Sequence, residues 1–199
     1  MSETVADRRL PPGFVETAHP PVSGPEKLVS HVEATVIDAP FAEVVAAVDA
    51  LPLSLRHPAA AGLPGVVDTL ALTPDGFGPV GGRHLVFLSD DTTVVEQVLE
   101  NTRTEASWRF RYVVWGYTTP AAKPLRYGLG DFHYTAEGER TRLTWTYSFE
   151  LKPDTFPGFL GVGLGGFLLK LAFLNGPYGA WMRAGLAAIK QGVVGPSGC

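Results

Sequence analysis

The chain has almost no cysteine: one residue in 199, Cys199 at the very end. That excludes a disulfide framework and a cysteine-based zinc site, and a final cysteine with nothing after it makes no prenylation box. Charge is also sparse. Charged residues are 18% of the chain, against roughly a quarter in most globular proteins. Basic residues (16) are outnumbered by acidic ones (20), with no basic run longer than Arg8-Arg9. No nucleic-acid partner is expected, because such binders carry a basic footprint. The histidines, at 19, 31, 57, 84 and 133, never fall into HxH or HExxH spacing, so no metal is predicted. No apolar run follows the first basic residues, so no secretory signal is read and the cytoplasm is the expected compartment.

What is present is enough to build one core: 45% hydrophobic and 11% aromatic residues in a one-domain length. Prolines at 11, 12, 20, 21 and 25 argue against helix and sheet, so residues 1–26 are read as a mobile arm. The domain is read as 27–191, and 192–199 as a second tail. Residues 28–38 are rich in β-branched side chains and predict a strand. Asp38-Ala39-Pro40 then opens a helix over 41–51 with Phe41, Val44, Val45 and Val48 on one face. After a proline-punctuated loop come strands over 66–72, 83–88, 92–103, 105–117, 127–136 and 141–151, with no helix between them. The sheet is therefore expected to be antiparallel. Alternation puts Leu143, Trp145, Tyr147, Phe149 and Leu151 on one face, and Trp108, Phe110, Tyr112 and Val114 on one face of another strand. One side of the sheet reads as aromatic and the other as wet. Residues 157–191 are helical in character, interrupted at Asn175-Gly176-Pro177.

Three stretches carry a family resemblance: residues 32–48, beginning Val32-Glu33-Ala34-Thr35-Val36-Ile37; Gly81-Gly82-Arg83 leading to Val94-Val95-Glu96-Gln97-Val98; and Gly138 with Thr141-Arg142-Leu143-Thr144-Trp145. In these, over about residues 28–190, the chain resembles the START/birch-allergen (SRPBCC) superfamily, close to its polyketide cyclase/dehydrase-like group. Where that family often has Asp-Gly in a turn, this chain has Asp90-Asp91. The resemblance implies an α+β helix-grip fold, a curved antiparallel sheet wrapped around a long C-terminal helix with a hydrophobic cavity between them. Members include lipid carriers, hormone-binding proteins, aromatase/cyclases and small-molecule sequestering proteins, and fold does not choose among them.

Candidate residues follow from the residues themselves. A cavity wall of Trp108, Phe110, Tyr112, Trp145 and Phe149, closed by Phe167 and Leu171 of the last helix, suits a hydrophobic or aromatic small molecule. Asp131 and His133 share one face of a strand and would make a carboxylate-oriented imidazole if they point inward; Phe132 and Tyr134 compete for that face. Arg83 and His84 pose the same choice, and an inward Arg83 would hold an anion. Tyr147 completes the candidate acid/base set. The formal GxGxxG at residues 161–166 lacks a second parallel strand and any acidic residue after Asp154, so no dinucleotide or other cofactor is expected. The apolar stretch 159–174 is short of a bilayer span but allows transient membrane contact. Two functions stay open: a carrier or sequestering protein for a lipid-like or polyketide-like molecule, and a cyclase/dehydratase-type enzyme using an acid/base pair in the same cavity.

Overall fold

The computed structural model describes residues 9–195. One antiparallel sheet contains β1 (Leu28–Ile37), β2 (Val66–Ala71), β3 (Arg83–Leu88), β4 (Thr93–Arg103), β5 (Ser107–Trp115), β6 (Leu125–Glu137) and β7 (Arg140–Leu151). Their spatial order is β1-β7-β6-β5-β4-β3-β2. β2 to β7 follow one another as neighbours, while β1 and β2 lie at opposite edges and are joined across the sheet by α1 (Phe41–Ala50) and α2 (Leu53–Arg56). The C-terminal helical run has three parts: α3 (Gly161–Leu169), a widened π-type stretch (Lys170–Tyr178) and α4 (Gly179–Val194). This is the α+β helix-grip architecture expected from the sequence.

The helical run breaks at Gly176, whose φ of −106° and ψ of −105° are non-helical. Pro177 is the cause, since a proline ring disfavours the helical region for the residue before it. Beyond the break, α4 buries Met182, Leu186 and Ile189 against the inner face of the sheet. Polar contacts pin it to β1. Lys190 Nζ donates to the Val36 carbonyl at 2.8 Å and to Asp38 Oδ2 at 2.9 Å. Arg183 pairs with Glu33, whose Oε1 also meets His31 Nε2 at 2.9 Å.

The outer face differs from the sequence reading: its centre is apolar, not wet. β3 and β5 carry unbroken apolar runs (Leu85-Val86-Phe87 and Val113-Val114-Trp115), and a strand apolar at successive positions is apolar on both sides. Leu85, Phe87, Val95, Val113, Trp115, Tyr127 and Leu129 form this second cluster, with Phe14 packed on it. The segment read as a mobile arm supplies Phe14. Its described part has the extended course that proline density dictates, but it also makes specific contacts. Trp115 Nε1 donates to the Thr17 carbonyl at 3.0 Å, the Ser23 amide donates to Tyr127 Oη at 2.8 Å, and Glu16 pairs with Arg83 at 2.6 Å. Residues 1–8 and 196–199, the ends of both expected tails, lie outside the described residues, and α4 extends to Val194, past the expected boundary at 191.

A two-compartment candidate ligand site

Between the sheet's inner face and the helices lie two adjoining cavities. The larger, of about 450 Å³, is bounded by Val86, Val94, Val114, Tyr147 and Phe149 from the sheet, by Leu169, Phe173, Tyr178 and Trp181 from the C-terminal helices, and by loop residues around Leu63 and Ala122. The smaller, of about 380 Å³, lies toward the far end of β4 and β5. It is bounded by Asp49, Arg56, Phe77, His84, Asn101, Arg103, Trp108, Phe110, Phe132 and Tyr134. Leu53, His57, Glu96 and Tyr112 face both. They form the neck.

The larger compartment is apolar with a tyrosine wall. Tyr112, Tyr117, Tyr147 and Tyr178 face it. Burial, first of all, raises their pKa values well above the usual phenol range, and neighbouring phenols add to the shift. All four are therefore neutral hydroxyls across the physiological range. Two mid-strand glycines of β6 make room for them. A Cβ at Gly128 would stand 2.7 Å from the Tyr117 hydroxyl and 3.0 Å from that of Tyr147, and one at Gly130 would run into the Tyr112 ring. Glycine inside a strand marks such a close approach. Three polar atoms at this wall, His57 Nδ1, Tyr117 Oη and Trp181 Nε1, are buried with no hydrogen-bond partner. His57 stacks on Trp181 (ring centroids 5.6 Å apart) and lies 5.3 Å from the Trp145 ring. Burial, helped by the nearby Arg56 and His84, pushes its pKa down to about 3, so it is a neutral imidazole.

The smaller compartment is polar and internally paired. His84 and Glu96 are direct cross-strand partners on β3 and β4, and His84 Nε2 lies 2.8 Å from Glu96 Oε2. The imidazole stacks on Phe77 with centroids 3.7 Å apart, which fixes the ring plane. Asp49 at the end of α1 takes a two-pronged bond from Arg103, at 2.7 and 2.6 Å. The same guanidinium lies 4.0 Å above the Trp108 ring, and Trp108 Nε1 donates to Asn101 Oδ1 at 2.8 Å. A buried imidazole held by a carboxylate beside a cavity can exchange a proton with a bound molecule.

The expected site residues divide sharply. Tyr147, Phe149 and Tyr112 line the larger compartment, and Trp108, Phe110 and Tyr112 the smaller. Asp131 and His133 do not reach either; they lie on the outer face, where Arg109 meets Asp131 at 2.7 Å and Arg111 meets it at 3.4 Å. Their inward neighbours Phe132 and Tyr134 take the cavity side. Arg83 is outward too, held by Glu16, and His84 is the inward member of that pair. Trp145 is fully buried but lines neither compartment, because α4 passes directly over it at Gly185, where an added Cβ would lie 3.1 Å from the indole ring. Phe167 and Leu171, expected to close the cavity, are 60% and 66% exposed on the outer side of the helical run. Leu169 and Phe173 take the inner positions instead. No cluster of three or more metal-ligating side chains occurs among the described residues.

The family described as polyketide cyclase / dehydrase and lipid transport matches residues 29–193. The chain belongs to this family. It is similar to Ara h 8.0201 (16% identity, 85% of this chain and 99% of that one, TM-score 0.56). It is also similar to the di-domain ARO/CYC BexL (20% identity, 86% of this chain and 52% of that one, TM-score 0.55). A third similar structure is truncated norcoclaurine synthase from Thalictrum flavum (12% identity, 85% and 96% coverage, TM-score 0.53). At such identities the likeness carries the fold alone. A search of curated proteins returns no match.

Proposed function

We propose that this family member binds an elongated hydrophobic or aromatic small molecule across both compartments, as a carrier or sequestering protein. The observation that carries the reading is the apolar compartment itself: about 450 Å³ of space whose walls hold three buried polar atoms lacking a protein partner. Buried donors and acceptors without partners are costly, and a ligand hydroxyl or carbonyl passing the neck would satisfy them while its body fills the apolar space. Native mass spectrometry of the protein purified from its own host tests this. A bound species of a few hundred daltons is expected, and it should be lost when Phe149 and Phe173 are both replaced by Trp to fill the space. A ligand retained in the filled variant would place the binding elsewhere.

A second reading is favoured by one specific pair. Glu96 stands at the neck, where a bound molecule would pass, with His84 beside it in the polar compartment, and the pair would supply the proton transfers of a cyclase/dehydratase-type enzyme. His84→Gln and Glu96→Gln separate the two readings. An enzyme loses turnover in both variants with ligand affinity largely kept, because proton transfer contributes in the transition state; a carrier has no turnover to lose.

A further inference from the structure

Two carboxylates, Asp49 and Glu96, and two guanidinium groups, Arg56 and Arg103, line the polar compartment, but one of the four has no direct ionic partner. Asp49 has both carboxylate oxygens on Arg103, and Glu96 is engaged by His84. His57, with its pKa near 3, contributes no charge at neutral pH. That leaves Arg56. Its Nε donates to the Leu51 carbonyl at 2.8 Å, capping the end of α1. Its two terminal nitrogens make no hydrogen bond, and no carboxylate lies within 4.0 Å of it among the described residues. The side chain is half-buried, and that burial lowers its pKa, offset only in part by the nearby Asp49 carboxylate. Arginine nonetheless stays protonated. A half-buried guanidinium whose terminal nitrogens carry no ion pair, facing a cavity, is suited to hold an anion.

We infer that the ligand is an amphipathic acid whose carboxylate is held by the free fork of Arg56 while its apolar body extends through the neck into the larger compartment. This refinement rests on the ligand-binding reading above. The planar pair of terminal nitrogens matches the two oxygens of a carboxylate. Chain order supplies the alignment: Arg56 lines the polar compartment, and the next residue, His57, lines both. A molecule anchored at Arg56 therefore meets the His57 imidazole and the Tyr112 ring before it reaches the apolar space.

A matched pair of fluorescent probes tests the assignment: 1-pyrenebutyrate and its neutral amide, 1-pyrenebutyramide, titrated into the full chain at neutral pH. The acid should bind about tenfold tighter than the amide, as charge-assisted hydrogen bonds warrant. Arg56→Gln should reduce the acid to within about twofold of the amide, weakening the acid far more than the amide, while Arg56→Lys keeps part of the preference. Should loss of the α1 cap unfold the Gln variant, the wild-type ratio and the Lys variant still decide. Equal affinity for acid and amide in the wild type overturns the role of Arg56 and leaves the cavity reading standing. Failure of both probes to bind overturns the cavity reading and this one with it.

Discussion

In the polar compartment each carboxylate has its own cation or imidazole, Asp49 on Arg103 and Glu96 on His84. In the wall of the apolar compartment, three polar atoms (His57 Nδ1, Tyr117 Oη, Trp181 Nε1) have no partner at hydrogen-bond geometry, although Tyr117 Oη lies close to the Tyr147 hydroxyl and the Gly128 backbone. The first set stabilises the fold by mutual satisfaction, and removing one member strands the other. The second set costs stability in the free protein and returns it only when something binds. Arg56 is the exception that joins them, a charged group on the polar side that behaves like the orphans on the apolar side. Substitutions of similar size should therefore have opposite signs on the two sides of the neck.

The largest effect is expected at His84. Its replacement by Leu leaves Glu96 shielded and unpaired, which should cost roughly 3 kcal/mol at pH 7 in urea unfolding. A loss under about 1 kcal/mol would show that the pair is already solvated, as surface pairs are. Next comes the acid response of the neck. The folded pKa of His57, about 3, lies below its ordinary 6.5, so the unfolded chain takes up the proton first. This contribution is intact above pH 6.5 and is lost as pH falls toward 3. Between pH 7.5 and 4.5 it amounts to roughly 3 kcal/mol at most. Unfolding midpoints at the two pH values should lie closer together in His57→Phe than in the wild type; an unchanged gap would assign the acid sensitivity to other groups. The smallest effect has the reverse sign. Tyr117→Phe removes an unpartnered hydroxyl and should raise stability by up to about 1 kcal/mol, while weakening the binding of any ligand that offers a hydroxyl or carbonyl. A melting temperature that falls instead would mean the hydroxyl is satisfied within the free protein.

Much of the fold was legible because its signals are local. Alternation in β7 placed Leu143, Trp145, Tyr147 and Phe149 on the inner face, and Asn175-Gly176-Pro177 marked the break in the last helix. The site was less legible, for two physical reasons. Period-two alternation sorts residues into two sets without saying which set faces in, so Asp131 and His133 stayed open against Phe132 and Tyr134. Gly128 and Gly130, of the same parity as Phe132, were the signal available: neighbouring tyrosines lie across them. The second reason is register. A two-residue turn at Asp90-Asp91 would set His84 opposite Gln97. The hairpin instead closes with the Leu88 amide on the Thr92 carbonyl at 2.9 Å, and Asp91 takes the left-handed conformation at φ 62°. That three-residue turn moves the pairing by one and brings His84 opposite Glu96. Trp145 failed for a different reason. Bulk and inward direction do not distinguish a cavity wall from a helix seat, and the glycine that seats the helix, Gly185, is 40 residues away in the chain.

The docked arm divides the four tryptophans into two optical populations. Trp108, Trp145 and Trp181 lie on the cavity side of the sheet, whereas Trp115 lies beneath the arm, with the His19 ring edge-on at 5.7 Å and its indole N–H on Thr17. Emission from the whole chain therefore mixes a reporter of ligand with a reporter of the arm. A single-tryptophan protein retaining Trp115 would turn its spectrum red as the arm detached and stay silent to cargo, and the converse triple-tryptophan protein, with Phe at 115, would follow cargo alone. Fusing a purification tag to the N-terminus loads the arm and would perturb the first signal without touching the second.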